Sequence, residues 1–238
     1  MTSQLATLGA GGGGFAPTQL SGLVLWLKAG VGTYQDTGFS TPAVADGDPV
    51  GGWQDQSGQG HHATQATAAA KGTLKLSIKN GKSVVRLDGV DDYLTAAFSA
   101  ASPFHLFVVL SPSGGGASSV GSPVGYSDGN NRLGYSSTNA TFNVGGTGIT
   151  PSTPTQNNWY VVSAKANGAS SKVRVNGADN VSGTVGTQTA TSVVVGDDGS
   201  TAREFQGDIA EVLWYSRALA DTEVAQVESY LNGLYAVY

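Results

Sequence analysis

Three aspartates fall within five positions of one short run, Asp88, Asp91 and Asp92 in VRLDGVDDYL. Carboxylates this close ligate a cation, move a proton in bond cleavage, or cap a turn by accepting backbone N–H groups. Asp88-Gly89 is a turn pair in its own right, which favours capping for Asp88 and Asp91. Calcium takes roughly six to eight oxygens, and the run lacks the EF-hand spacing that would assign them. No cofactor is therefore required, and Ca2+ is the ion such a loop would hold if it held one.

A second acidic set, Glu204, Asp208 and Glu211, lies in EFQGDIAE. A glycosidase needs two carboxyl groups roughly 5–10 Å apart across one sugar bond. In a regular strand Asp208 and Glu211, three positions apart, point to opposite faces. The expectation is that no residue is catalytic and the chain is not an enzyme. His61 and His62 in QGHHATQ are adjacent, so a strand aims them apart, and they read as loop residues rather than zinc ligands. GAGGGG lacks the Lys-Ser/Thr that completes a phosphate loop.

Sugar recognition asks for aromatic faces beside hydrogen-bonding groups. Trp53, Tyr126 and Tyr135 supply rings, and Asp128, Asn130, Asn131 and Arg132 supply polar groups. All but Trp53 lie in YSDGNNRLGY (126–135), a polar loop feeding a strand. These seven are the candidate glycan-binding residues. Trp26, Trp159 and Trp214 sit in apolar strands and read as core.

The elements that must position these groups are short strands. The chain has 238 residues, of which 35 are Gly and only 12% are charged, a composition suited to strands and tight turns. Runs at 22–30, 83–87, 104–110, 131–137, 141–145, 159–166, 171–177, 191–197 and 208–216 read as strands of a two-sheet antiparallel sandwich. In KVRVNG, Val173 and Val175 face one way and Lys172 and Arg174 the other, before an Asn176-Gly177 type I′ turn. One helix is expected over 220–233, with Val224, Val227 and Leu231 at helical spacing and Asn232-Gly233 as its end. Residues 1–19 read as a Gly-rich arm, held by a neighbouring subunit, and 20–238 as one domain.

The net charge is −5, and the twelve basic residues read as scattered, without a cluster. This excludes nucleic acid as a partner and a polybasic membrane patch. The longest apolar runs are far short of the roughly 20 residues that span a bilayer, so no membrane insertion is expected. There is no cysteine, and hence no disulfide or thiolate site. The first residues lack the basic and apolar regions of a secretory signal.

Four segments in order carry a family resemblance: LVLWLKAG, DGDPVGGWQDQSGQGHHATQ (46–65), VVRLDGVDDYL and FQGDIAEVLWYSRALADTEV (205–224). They resemble the laminin-G-like, pentraxin-like branch of the concanavalin A-like lectin/glucanase superfamily, over about Leu20 to Leu231 and least between 111 and 158. The resemblance implies an all-β jelly roll, with one concave sheet and one short C-terminal helix. It places the three aspartates where one strand leaves and the next begins, and it makes Glu211 a structural residue of the last strand. It also implies glycan binding, in a family whose usual setting is extracellular. Set beside the missing secretory signal, this suggests a bacteriophage virion surface protein, a head decoration or a tail receptor-binding component. Such a protein is assembled in the host cytoplasm and exposed after release. Its arm would join other virion proteins, its sandwich would bind host-surface glycan or stabilise the particle, and it would form a homo-oligomer. The alternatives are a polysaccharide hydrolase or lyase on the same scaffold, and a secreted bacterial carbohydrate-binding module.

Overall fold

Leucines at 23, 25 and 27 alternate with Val24, Trp26 and Lys28, and this period of two makes the first strand, with the leucines buried. The computed structural model describes residues 14–114, 121–126, 131–135, 140–152, 155–199 and 203–238. Among them the strands are β1 (Leu23–Lys28), β2 (Thr33–Tyr34), β3 (Gly52–Trp53), β4 (Ala63–Thr64), β5 (Thr73–Lys79), β6 (Lys82–Asp88), β7 (Leu94–Ala101), β8 (Phe104–Gly114) and β9 (Gly121–Tyr126). They continue with β10 (Arg132–Tyr135), β11 (Ala140–Val144), β12 (Thr147–Ile149), β13 (Tyr160–Ala166), β14 (Ser171–Val175), β15 (Ala178–Gly183), β16 (Thr189–Val195) and β17 (Gln206–Tyr215). One helix, α1 (Asp221–Tyr235), follows.

The strands form two antiparallel sheets. The first runs β15-β14-β13-β8-β17-β6-β5, with β1 also paired to β17. The second runs β12-β11-β10-β9-β16-β7-β4-β3-β2. Between the sheets lies a core that includes Leu25, Leu27, Trp53, Val85, Leu87, Phe104, Val193, Ile209, Val212 and Trp214. The other face of the first sheet is covered by α1, through Phe107, Val109, Leu213 and Tyr215 against Val224, Val227 and Leu231. The first sheet is therefore the middle of three layers.

The chain enters through a segment packed under this helix. Phe15 meets Tyr230 edge-on at 6.2 Å, Pro17 is buried, and the Tyr215 hydroxyl donates to the Pro17 carbonyl at 3.1 Å. The packed domain thus includes Phe15–Gln19, residues that composition alone assigned to an arm ending at 19. Residues 1–13, with most of the glycine run, lie outside the described residues.

Helix α1 begins where Glu223 accepts the Ala220 N–H at 2.8 Å and an Arg217 fork at 2.6 and 2.8 Å. These partners, the guanidinium first, hold the Glu223 carboxyl at about 2. The helix does not stop at Asn232-Gly233. It runs two residues further, to Tyr235, because Tyr235 is buried and its hydroxyl reaches Glu211. Ala236 then takes the left-handed conformation (φ 48°), and the Asn232 side chain accepts the N–H groups of Val237 and Tyr238.

Glu211 sits beneath this last turn, fully buried. Its carboxylate accepts the Trp26 Nε1–H at 2.6 Å and the Tyr235 hydroxyl at 2.7 Å. Burial pushes its pKa up, while Tyr235, Lys28 and Trp26 pull it back towards the charged form. Lys28 stands over the Trp26 and Tyr230 rings, 6.0 and 5.7 Å from their centroids. Glu211→Ala leaves two buried donors unpaired and is expected to cost about 2–4 kcal/mol in urea unfolding. Glu211→Gln retains an acceptor and should cost clearly less. Equal losses in the two variants would refute the donor network as the source of that stability.

Candidate functional site

A line of directly paired residues crosses the outer face of the second sheet. Register connects Gly52 to Thr64, Thr95, Val194, Gly125, Arg132, Asn143 and Gly148, one residue from each of eight strands. Opposed residues in an antiparallel pair share a face. Their chain neighbours Trp53, Ala63, Ala96, Val193, Val124, Leu133 and Phe142 point into the core, so this line points out. Arg132 is its one charged member. Ala97, Ser99 and Ser192 extend the same face with small side chains.

Beside Arg132 the face carries a clamp. The Asp198 carboxylate is fully buried, with the Arg203 guanidinium at 3.1 Å and that of Arg132 at 3.4 Å. Gly125 makes this approach feasible, since a Cβ there would lie 2.6 Å from the Asp198 Cβ. Burial lowers the Arg132 pKa and the Arg203 charge lowers it further, against Asp198, which raises it. Burial raises the neighbouring Asp197 carboxyl, while the Asp198 N–H it accepts at 2.6 Å lowers it. The Arg132 side chain is 12% exposed and that of Arg203 32%, so Arg203 is the more accessible of the two guanidiniums, groups that recognise carboxylates and neighbouring hydroxyls.

The predicted site residues separate. Arg132 lies on this outer face. Asn131 is buried two per cent exposed, and its side-chain oxygen accepts the Gly145 N–H, which ties the β11–β12 turn to the β9–β10 hairpin. Trp53 and Tyr126 are corrected by their burial: at 0% and 2% exposure both belong to the core between the sheets, with no face for a sugar to stack on. Asp128 and Asn130 lie outside the described residues, as does the side chain of Tyr135, whose backbone ends β10. The cavity among Phe104, Tyr126, Phe142 and Trp214 has a volume of about 10 Å³, space for one water at most, and does not hold a sugar. Sequence reasoning missed Asp198 and Arg203. Their available signal was the Asp197-Asp198 pair, which closes a strand much as the 88–92 run does.

The other acidic groups serve the scaffold. Asp88 accepts the Val90 N–H at 2.8 Å, and Asp92 accepts the Asp88 N–H at 3.0 Å. The carboxylate oxygens of Asp88, Asp91 and Asp92 approach within 4.8 Å of one another. Asp92 is buried, and burial with the Asp88 and Asp91 charges raises its pKa to about 6 against the hydrogen bond. Asp208 and Glu211 do share a face, contrary to the regular-strand expectation, because a bulge between Ile209 and Glu211 resets the alternation. No catalytic pair results. Asp208 is gripped by a bidentate Arg86 at 2.7 and 2.9 Å, and Glu211 lies sealed under α1.

The histidines are also structural. His61 Nδ1 lies 2.7 Å from the Val24 carbonyl, with its ring stacked on Phe98, and His62 Nδ1 accepts the Asp55 N–H at 3.1 Å. A buried His105–Ser163 contact of 2.8 Å is no nucleophile pair. Burial holds His105 near 3, and its Nδ1 meets no carboxylate.

Residues 85–225 match the Laminin_G_3 family of the concanavalin A-like lectin/glucanases superfamily, and the chain belongs to that family. No curated relative matches the chain by sequence. Among solved structures it resembles the binding domain of Paraclostridial mosquitocidal protein 1 (TM-score 0.62, 14% identity), covering 89% of this chain and 53% of that one. Trypanosoma rangeli sialidase in complex with a difluoro-KDN is similar at TM-score 0.61 and 14% identity, over 98% of this chain and 36% of the other. A structure of botulinum neurotoxin type C, described as dependent on two ganglioside molecules for cell entry, is similar at TM-score 0.58 and 12% identity, over 88% and 51%. The chain thus spans between about a third and a half of these proteins, and the likeness is one of fold.

Two outcomes follow from this geometry. Gly125→Ala forces the Asp198 loop off the sheet and is expected to destabilise the protein by about 1–3 kcal/mol, as read by chemical denaturation. The raised Asp92 pKa means that the folded state binds the proton more tightly than the unfolded chain. Its contribution is therefore greatest below the ordinary carboxylate range and declines as pH rises towards about 6. Asp92→Asn should then gain in melting temperature over wild type between pH 4 and 7, and parallel curves would contradict this.

Proposed function

We propose that the chain is a non-catalytic glycan-binding module, reading its ligand with the outer face of the second sheet around Arg132 and Arg203. The observation that carries this reading is the clamped arginine pair on an otherwise small, uncharged face. The strand carboxylates Asp208 and Glu211 are meanwhile committed to Arg86 and to the underside of α1. Family membership supports it, and so does the ganglioside dependence described for the botulinum neurotoxin type C neighbour. Small hydroxyl side chains at Thr64, Thr95 and Ser192 let a sugar approach the sheet closely, and guanidinium forks fix its orientation.

In the same reading the module is displayed on a bacteriophage virion as a homo-oligomer, joined to other virion proteins through the segment before Leu20. The docking of Phe15 and Pro17 under α1 supports a rigid exit for that segment. Removing residues 1–14 should then keep the chain out of purified particles while leaving its melting temperature unchanged.

Arg132→Lys keeps a positive charge beside Asp198 but removes the planar fork, and should weaken binding to a glycan-array hit by about tenfold or more. Unchanged affinity would sink the assignment of this face. New reducing ends released from polysaccharide by the wild type, and lost in Asp208→Asn, would replace the binding module with an enzyme.

A further inference from the structure

Five of the twelve basic residues, Lys71, Lys75, Lys79, Lys82 and Arg86, occupy one stretch, and no acidic residue lies between Asp55 and Asp88. The remainder of the chain holds seven basic and seventeen acidic residues, a net of −10. The scatter read from the sequence thus conceals a strongly polarised molecule. In the structure this stretch is the β5–β6 hairpin, closed by Asn80 (φ 48°) and Gly81 (φ 71°).

Three of the five charges have protein partners. Lys71 donates to the Gln35 carbonyl at 2.9 Å, Lys75 pairs with Asp46 at 3.2 Å, and Arg86 pairs with Asp208. Among the described residues, Lys79 and Lys82 have no ion-pair partner. They face each other across the hairpin, a like-charge pairing that destabilises a ladder. Beside them Leu76 and Ile78 are 38% and 40% exposed. Ser77 between them is left-handed (φ 55°), at a register shift that takes both aliphatic side chains out of the strand's alternation. The loop carrying Val44, 71% exposed, is held alongside by Asp46, which accepts the Leu76 N–H at 2.9 Å. Asn80 donates to the Leu234 carbonyl at 2.8 Å, which braces the tip against α1, and Gly81 faces open space.

We propose that this hairpin is a peripheral docking surface for an anionic lipid bilayer. Its apolar groups, Leu76 and Ile78, are exposed and aliphatic, whereas sugars stack on aromatic rings. Aliphatic side chains rimmed by lysines enter the boundary between headgroups and acyl chains while the ammonium groups stay with the phosphates. The net −10 of the remaining chain is repelled by such a surface, so the molecule approaches hairpin first.

The test is cosedimentation of the full chain with phosphatidylcholine vesicles, with and without phosphatidylserine, at low salt. Wild type is expected to bind only the phosphatidylserine vesicles. Neutralising both lysines (Lys79→Gln with Lys82→Gln) should weaken binding by about 25-fold, about fivefold for each charge. Leu76→Ser with Ile78→Ser should weaken it at unchanged charge, and Val90→Ser, on a different exposed loop, should not. Melting temperatures near wild type verify that the surface variants fold. The proposal is overturned if wild type ignores charged vesicles, or if the serine variant binds as well as wild type. It is equally overturned if the lysines act only on a sulfated polysaccharide or on self-association while vesicle binding is absent.

Discussion

Strand β17 is buried along nine of its ten residues, between the second sheet on one side and α1 on the other. A strand covered on both faces tolerates a carboxylate only where donors meet it, since an unpaired buried charge costs several kcal/mol. Glu211 meets that condition through one donor from β1 and one from the end of α1. The interaction therefore ties β1, at the start of the domain, to β17 and the end of α1. It extends the helix past the Asn-Gly pair that would otherwise end it, and it brings Trp26 and Tyr230 together under Lys28.

The same strand accounts for the two carboxylates Asp208 and Glu211, each committed to a partner within the scaffold. The bulge after Ile209 is what brings Glu211 round to the helix side. Asp208 is on that side already by alternation with the inward Ile209, and Arg86 of the neighbouring strand engages both of its oxygens. Had the strand been regular, Glu211 would point into the core between the sheets, away from the Tyr235 hydroxyl and the Trp26 indole that now hold it. The bulge is a requirement of satisfying one buried charge, and the shared face of the two carboxylates is its by-product.

Much of the sandwich is legible in the sequence because its middle layer writes a clear pattern. LVLWLK, FHLFVVL and IAEVLWY are long apolar runs, and they form β1, β8 and β17 close to where periodicity places them. The second sheet is harder to read. In β7, LTAAFSAA, alanine occupies both faces, so the alternation of Leu94, Ala96, Phe98 and Ala100 has little contrast, and alanine favours helix. In β9, GSPVGY has the composition of a turn, yet all six residues are buried. Its Gly125 is needed because Asp198 lies against it, a contact between residues 73 positions apart that no local pattern reveals. The same blindness removed Trp53 and Tyr126 from the candidate site: an aromatic beside polar neighbours reads as a surface platform, whereas here the alternation of β3 and β9 turns each ring inward. Arg132 was picked as a polar member of the 126–135 loop, and its place at the start of β10 follows from the alternation with the inward Leu133.

The three-layer order restricts where this chain can meet anything large. At its middle the first sheet has the core on one side and α1 on the other. Its β5 edge is closed as well, since the N–H groups of Gly47 and Val50 donate to the carbonyls of Leu74 and Gly72 and Leu74 donates back to Asp48. Two surfaces of the described residues stand out, the outer face of the second sheet and the exposed tip of the β5–β6 hairpin. These two surfaces differ in kind. One is a sheet floor of small side chains around clamped guanidiniums, and the other is aliphatic with two ammonium groups at its mouth. Asp198 offsets one of the two clamp charges, whereas Lys79 and Lys82 at the hairpin tip have no ion-pair partner among the described residues, so under the proposals above long-range attraction would act first on the hairpin and the sheet face would select by contact.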